Sequence, residues 1–214
     1  MIRAVLWDFG GVILSSPFEA FNRYEHDRGL PRDFLRRVNA SNADANAWAR
    51  MERAELTHEG FDVAFAAESS ALGHEVPGSD VLALLAGNVR QKMVTALDRV
   101  IAAGLKTACL TNNVVRPDSL TDASTTDWRP DVAAVMAKFD VVVESSKLGI
   151  RKPEPAFYRT ACELLGVEPD ECVFLDDLGI NLKPARQLGM TTIKVDDPAT
   201  AIAELATVLD LDLA

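Results

Sequence analysis

Two acidic sites far apart in the chain each close a short apolar run. Asp8 ends Ala4-Val5-Leu6-Trp7, and Asp176-Asp177 follow Cys172-Val173-Phe174-Leu175. If both runs are strands, the carboxylates meet at one sheet edge, and the chemistry implied is a metal-assisted reaction with a carboxylate nucleophile. Adjacent carboxylates at a buried strand end repel one another, and a hard cation with oxygen ligands relieves that repulsion. Magnesium suits the set better than zinc, because no His or Cys cluster accompanies the acids. An Asp after a strand also caps ordinary turns. Gly10-Gly11, directly behind Asp8, instead allow a sharp turn and close approach of backbone to a ligand.

Two more segments carry candidate groups. Thr111-Asn112-Asn113 follow the apolar run 105–110 and offer a hydroxyl, an amide and backbone N–H groups that can hold phosphate oxygens. Lys152 lies in Gly149-Ile150-Arg151-Lys152-Pro153-Glu154-Pro155. Pro153 suits a helix start, so Lys152 is expected at the positive end of a helix, an unfavourable place unless an anion or carboxylates share it. Its neighbour Arg151 is expected in solvent or on substrate. Trp48, Arg50 and Arg53 also invite a binding role. The spacing of Trp48 and Met51 predicts helix packing instead, with the arginines on a solvated face. His26, His58 and His74 read as surface residues.

The elements that must position these groups are legible as five apolar runs of strand length, 4–9, 106–111, 139–144, 172–176 and 191–195. Their continuous hydrophobicity fits strands covered on both faces. Helical stretches over 154–165, closed by Gly166, and 182–188, closed by Gly189, alternate with them, so a parallel α/β sheet is expected. Ligands of such sheets bind beyond the carboxyl ends of the strands. Roughly ninety residues separate the first run from the second, where a crossover needs only about a dozen. Helices predicted over 18–28, 32–39, 43–51, 59–69, 80–85 and 89–103 fill that interval. The expected organisation is a Rossmann-like catalytic core of residues 1–15 and 91–214 with a helical cap over 16–90. The stretch 117–130 reads as a long loop.

Composition narrows the function classes. The 214 residues, 48% hydrophobic and 25% charged, suffice for a full core and a smaller appended unit. A net charge of −10 argues against nucleic acid or an acidic membrane as partner, while a local positive pocket for an anion stays compatible with it. Cys109, Cys162 and Cys172, odd in number and set in apolar stretches, predict buried thiols. Asp8 interrupts the first run too early for a signal peptide or membrane span, so the expected location is cytoplasmic. A homodimer is left open.

In their order and spacing, Asp8, Thr111, the Arg151-Lys152-Pro153-Glu154-Pro155 segment and Asp176-Asp177-Leu178-Gly179-Ile180-Asn181 resemble the motifs of the haloacid dehalogenase-like hydrolase superfamily. The stretch 174–192 looks most like the amino-terminal phosphatase domain of soluble epoxide hydrolases and their stand-alone bacterial relatives. The resemblance implies a magnesium-dependent phosphatase of small organic phosphate monoesters, working through an aspartyl-phosphate. It implies Asp8 as nucleophile, Thr111 on a phosphate oxygen, Lys152 neutralising charge, and Gly10, Gly11 and Asn112 beside the phosphate. Asp8, Asp176, Asp177 and the Gly10 carbonyl are the implied Mg2+ ligands. One departure stands out: phosphatases of the superfamily usually carry a second Asp two residues after the nucleophile, and here that residue is Gly10. A metal-independent 2-haloacid dehalogenase and a catalytically impaired ligand- or partner-binding relative are the alternative readings.

Overall fold

The computed structural model describes residues 1–114 and 129–213. Strands β1 (Ala4–Trp7), β2 (Lys106–Thr111), β3 (Val141–Glu144), β4 (Cys172–Asp176) and β5 (Thr191–Lys194) form one parallel sheet in the order β3-β2-β1-β4-β5. β1 is central, and the chain builds outward from it first on one side and then on the other. The carboxyl ends of β1 and its neighbours therefore flank a topological switch point, where open α/β sheets bind ligands.

Alternation along each strand sends neighbouring side chains to opposite faces. Val5 and Trp7 join Cys109, Val173 and Leu175 beneath α6 (Gln91–Ala102), α7 (Pro130–Met136) and α11 (Pro198–Leu209). Ala4 and Leu6 join Ala108, Leu110 and Phe174 beneath α9 (Pro155–Leu165) and α10 (Gly179–Gln187). With both faces covered, β1 is apolar throughout and β4 is apolar up to Asp176. Burial of each large side chain stabilises the sheet by about 1.5–3 kcal/mol.

A third apolar cluster belongs to the segment between β1 and α6. There α1 (Phe18–Asp27), α2 (Phe34–Ala40), α3 (Ala47–Glu52), α4 (His58–Ala71) and α5 (Gly78–Ala83) gather Phe21, Phe34, Val38, Met51, Phe61 and Phe65 into a core of their own. These helices form a cap on the sheet. The two passages between cap and sheet run side by side: Leu14 and Val89 form an antiparallel bridge, and the Ser15 amide donates to the Asn88 carbonyl at 2.8 Å.

Several element bounds differ from expectation for local reasons. Helix α2 starts at Phe34 rather than residue 32, because the buried Glu25 carboxylate takes the amides of Asp33 and Leu35. Helix α3 starts at Ala47 rather than residue 43, where the Asn46 side chain caps the Ala49 amide. Helix α10 starts at Gly179, three residues earlier than read, which matters for the site below. Helices α7, α11 and the short α8 (Ser145–Leu148) add to those expected. Of the loop expected over 117–130, residues 117–128 lie outside the described residues. All three cysteines are buried and free, with Cys162 and Cys172 sulfurs 3.9 Å apart. Among the described residues no helix is long and apolar enough to cross a membrane.

Candidate active site

Parallel pairing of Trp7 with Leu175 puts the residues that follow them, Asp8 and Asp176, side by side at the sheet edge, and the Asp8 amide donates to the Leu175 carbonyl at 2.8 Å. The Lys152 ammonium bridges the two carboxylates, 2.7 Å from Asp8 Oδ1 and 2.8 Å from Asp176 Oδ2. Lys152 itself is 1% exposed. Asp176 is bonded on both oxygens: Oδ1 accepts from the Leu178 amide at 2.8 Å, and Asn181 Nδ2 reaches both oxygens at 3.1 Å. At Asp8 the bonds from Lys152 and from the Phe9 amide, 2.6 Å long, both fall on Oδ1. One oxygen from each of Asp8, Asp176 and Asp177 lies within 4.8 Å of the others.

The wide turn Phe9–Ile13 behind Asp8 brings backbone against Asp177. Gly11 has φ +85, and a Cβ added there would fall 2.1 Å from Asp177 Oδ2, so only glycine fits. Arg90 holds this turn through a 2.6 Å bond to the Gly11 carbonyl. At Gly10, by contrast, an added Cβ would meet nothing within 4 Å. Thr111, at the end of β2, is buried and pairs with Glu144 of β3. Asn112 spends its side chain on the backbone of Lys152, accepting from its amide at 2.9 Å and donating to its carbonyl at 3.0 Å.

Two sequence readings need correction here. Lys152 is not at a helix start: α9 begins at Pro155, and Arg151–Glu154 form a turn containing a cis Lys152–Pro153 bond, closed by the Glu154 amide on the Arg151 carbonyl. The carboxylates expected to share its site are Asp8 and Asp176. Arg151 is not solvated; its side chain is 13% exposed and its guanidinium pairs with Glu52 of the cap. Asn181 was missed as a site residue. Its signal was its place in the first turn of α10, and the early start of that helix is what turns it back onto Asp176.

Residues 2–189 match the family described as haloacid dehalogenase-like hydrolase. The chain belongs to this family. Over 99% of its length this hydrolase is 35% identical to acyl-CoA dehydrogenase family member 10 of Mus musculus, covering 19% of that protein. Over 97% it is 32% identical to bifunctional epoxide hydrolase 2 of Mus musculus, covering 39% of that one. The chain thus spans well under half the length of these relatives. A solved HAD family enzyme of Bacteroides thetaiotaomicron, in complex with magnesium and inorganic phosphate, shares the fold with a TM-score of 0.58 at 19% identity, covering 91% of this chain and 94% of the other.

The electrostatics of the hydrolase follow from three carboxylates sharing one ammonium. Burial drives the Asp8 carboxyl well above its usual range, Lys152 pulls it back, and Asp176 and Asp177 push it up again. Burial thus opposes the ionised form until positive charge arrives. Asp177 is pushed up to about 6 by burial and by Asp176. Burial works against the Lys152 charge, yet Asp176 and Asp8 more than offset it and hold the ammonium protonated. The three donors offer oxygen only, as Mg2+ prefers, and crowded carboxylates beside a single ammonium leave charge that a divalent cation would balance.

The cap reaches the site through α3. Glu52, 6% exposed, pairs with Arg151 and accepts from Trp48 Nε1 at 2.9 Å and from Asn112 Nδ2 at 3.2 Å. Burial raises its carboxyl, against the pull of Arg151 and Trp48. Trp48 packs on Phe61 and Met51 is buried, as the helical spacing predicts, and Arg50 is exposed. Arg53 departs from that expectation: it is 16% exposed and lies in the cap–sheet seam with Glu154, where a cavity of about 280 Å³ is lined by Asp44, Arg53, Arg151, Pro153 and Glu154. His26 and His74 are exposed, and His58 is half-buried.

Proposed function

We propose that this chain is a magnesium-dependent phosphatase of small organic phosphate monoesters that forms an aspartyl-phosphate at Asp8. The observation that carries the reading is the Lys152 ammonium seated between Asp8 and Asp176 with Asp177 alongside. That arrangement supplies positive charge where a carboxylate must meet a phosphate dianion. The magnesium and phosphate held by the Bacteroides enzyme of the same fold support it.

Mg2+, held by Asp8, Asp177 and the Gly10 carbonyl with help from Asp176, would neutralise phosphate charge and orient it for in-line displacement. Asp176 serves mainly to hold Lys152 and Asn181, because both of its oxygens are already bonded. Lys152 keeps Asp8 ionised and offsets charge on the phosphate. Thr111, with backbone N–H groups of the Gly10-Gly11 turn and of Asn112, binds phosphate oxygens that are not transferred. Asp8 then attacks phosphorus, the ester P–O bond breaks, and the leaving alkoxide or aryloxide takes its proton from water. Water hydrolyses the acyl phosphate, releasing inorganic phosphate and restoring Asp8.

No side chain at Gly10 donates the proton, and general acid–base help is worth about 10²–10⁴-fold. Esters with acidic leaving groups are therefore the preferred substrates. We assign residues 16–90 to a cap that selects the organic portion, and 1–15 with 91–214 to the catalytic core.

The test is hydrolysis of 4-nitrophenyl phosphate with Mg2+, with EDTA, and after Asp8→Asn. Turnover is expected only in the first case. Turnover that survives both treatments overturns the reading, and halide release from 2-haloacids in metal-free buffer replaces it with the dehalogenase. Tight binding of one ligand without turnover of any phosphate ester would instead mark an impaired relative.

A further inference from the structure

Glu52 is a buried carboxylate that the phosphatase chemistry leaves unused. It sits at the last position of α3, four residues after Trp48, on a helix of the cap. Its three partners come from three places: Trp48 on its own helix, Arg151 in the segment before α9, and Asn112 at the end of β2. Arg151 is gripped a second time by the cap, through a 2.9 Å bond to the Ala43 carbonyl. Asn112, in turn, clasps the backbone of Lys152 at both its amide and its carbonyl. A continuous chain of bonds thus runs from a cap carboxylate to the residue whose ammonium bridges Asp8 and Asp176.

We propose that Glu52 is a positioning residue that makes the placement of Lys152 depend on the seating of the cap, acting through Arg151 and Asn112. The proposal rests on the phosphatase reading for its effect on rate, but not for its effect on Lys152. With the cap seated, Glu52 neutralises the Arg151 guanidinium next to the ammonium and fixes the Asn112 amide in the orientation that holds Lys152. With the cap displaced, Asn112 loses one of its acceptors and Arg151 loses its counter-charge. The unpaired guanidinium then lies one residue from an ammonium that must stay between two carboxylates. Cap closure over a substrate thereby completes the charge arrangement as well as excluding water.

Hydrogen exchange and steady-state kinetics of Glu52→Gln test this. The substitution keeps size but removes the charge that pairs with Arg151. The Lys152 amide is expected to exchange about tenfold faster than in the wild type, with β5 unchanged. Turnover of 4-nitrophenyl phosphate with Mg2+ is expected to fall in kcat by about ten- to a hundredfold while KM stays within about twofold, as misplacement of a catalytic group rather than lost binding would do.

A merely structural Glu52 would loosen α1, α2 and α4 and leave the Lys152 amide protected, and that result overturns the proposal. So does a wild-type kcat in the variant. If the wild-type protein turns over no phosphate ester, the phosphatase reading fails, and the exchange measurement still decides whether Glu52 positions Lys152. Trp48→Phe, which removes the bond to Glu52 Oε1 and keeps an aromatic ring beside Phe61, should shift both readouts in the same direction by less, and it serves if Glu52→Gln does not fold.

Discussion

Asp8 and Asp176 end adjacent strands, touch the same ammonium at nearly the same distance, and differ in how their oxygens are bonded. Asp176 is fully buried and carries bonds on both oxygens from Lys152, Asn181 and the Leu178 amide. Asp8 is 7% exposed, its bonds converge on one oxygen, and the turn behind it leaves open space at Gly10. A carboxylate whose lone pairs are all engaged is a scaffold; one bonded on a single side can still act as a nucleophile or ligand. What separates the roles is the saturation of hydrogen bonds rather than burial, charge or distance to Lys152.

The sharpest way to break this contrast is to remove each acid in turn. Asp8→Asn should abolish turnover, by at least about a thousandfold, while leaving the urea midpoint nearly unchanged. Asp176→Ala should do the reverse in emphasis, costing about 3 kcal/mol of stability because it strips Lys152 and Asn181 of a buried partner. Equal unfolding midpoints for the two variants would refute the division. Gly11→Ala is next: the new methyl group would overlap Asp177 on a backbone with positive φ, so Mg2+ affinity measured by calorimetry should drop by about tenfold or more.

Gly10→Asp explores the open side of Asp8. A Cβ there meets nothing within 4 Å, and an added acid should raise turnover of alkyl phosphates by about tenfold while affecting 4-nitrophenyl phosphate less. The smallest effect concerns pH. Asp177, pushed up to about 6, holds its proton below that value, and a divalent cation must displace it. Mg2+ affinity should therefore rise with pH through about 6, by about tenfold between pH 5 and 7, and then level off. The metal-free protein has the opposite slope from this group, since a raised carboxyl pKa means that the folded state gains stability as pH falls through 6.

The parts of the molecule that were legible in sequence are those governed by neighbours in the chain. Strands β2 and β4 have the bounds that their apolar runs predict, and Asp8, Asp176 and Asp177 stand at strand ends as expected. The unexpected features are set by partners far along the chain. Arg151 was expected in solvent or on substrate because its carboxylate, Glu52, lies across the cap seam, and nothing local shows that Lys152 claims the Asn112 side-chain amide. The local signal for Glu52 was weak but present, since Trp48 and Glu52 share a helix face at i,i+4. For α11 the Asp197-Pro198 start was readable, and the Asp197 side chain does cap the Thr200 amide.

The paired passages at Leu14 and Val89 have a consequence for how such a protein can diversify. The inserted segment leaves and re-enters the sheet domain at points tied together by the Ser15 amide on the Asn88 carbonyl, the Arg90 amide on the Ile13 carbonyl and the Asn88 amide on Ser15 Oγ. Whatever is threaded between those points, the two stubs keep the same separation, and closing a longer or shorter excursion costs only about 0.6 kcal/mol per doubling of length. The junction is a splice site in three dimensions: helices can be exchanged there while the carboxylates beneath stay in register, provided that the new helices still bring a carboxylate to Arg151.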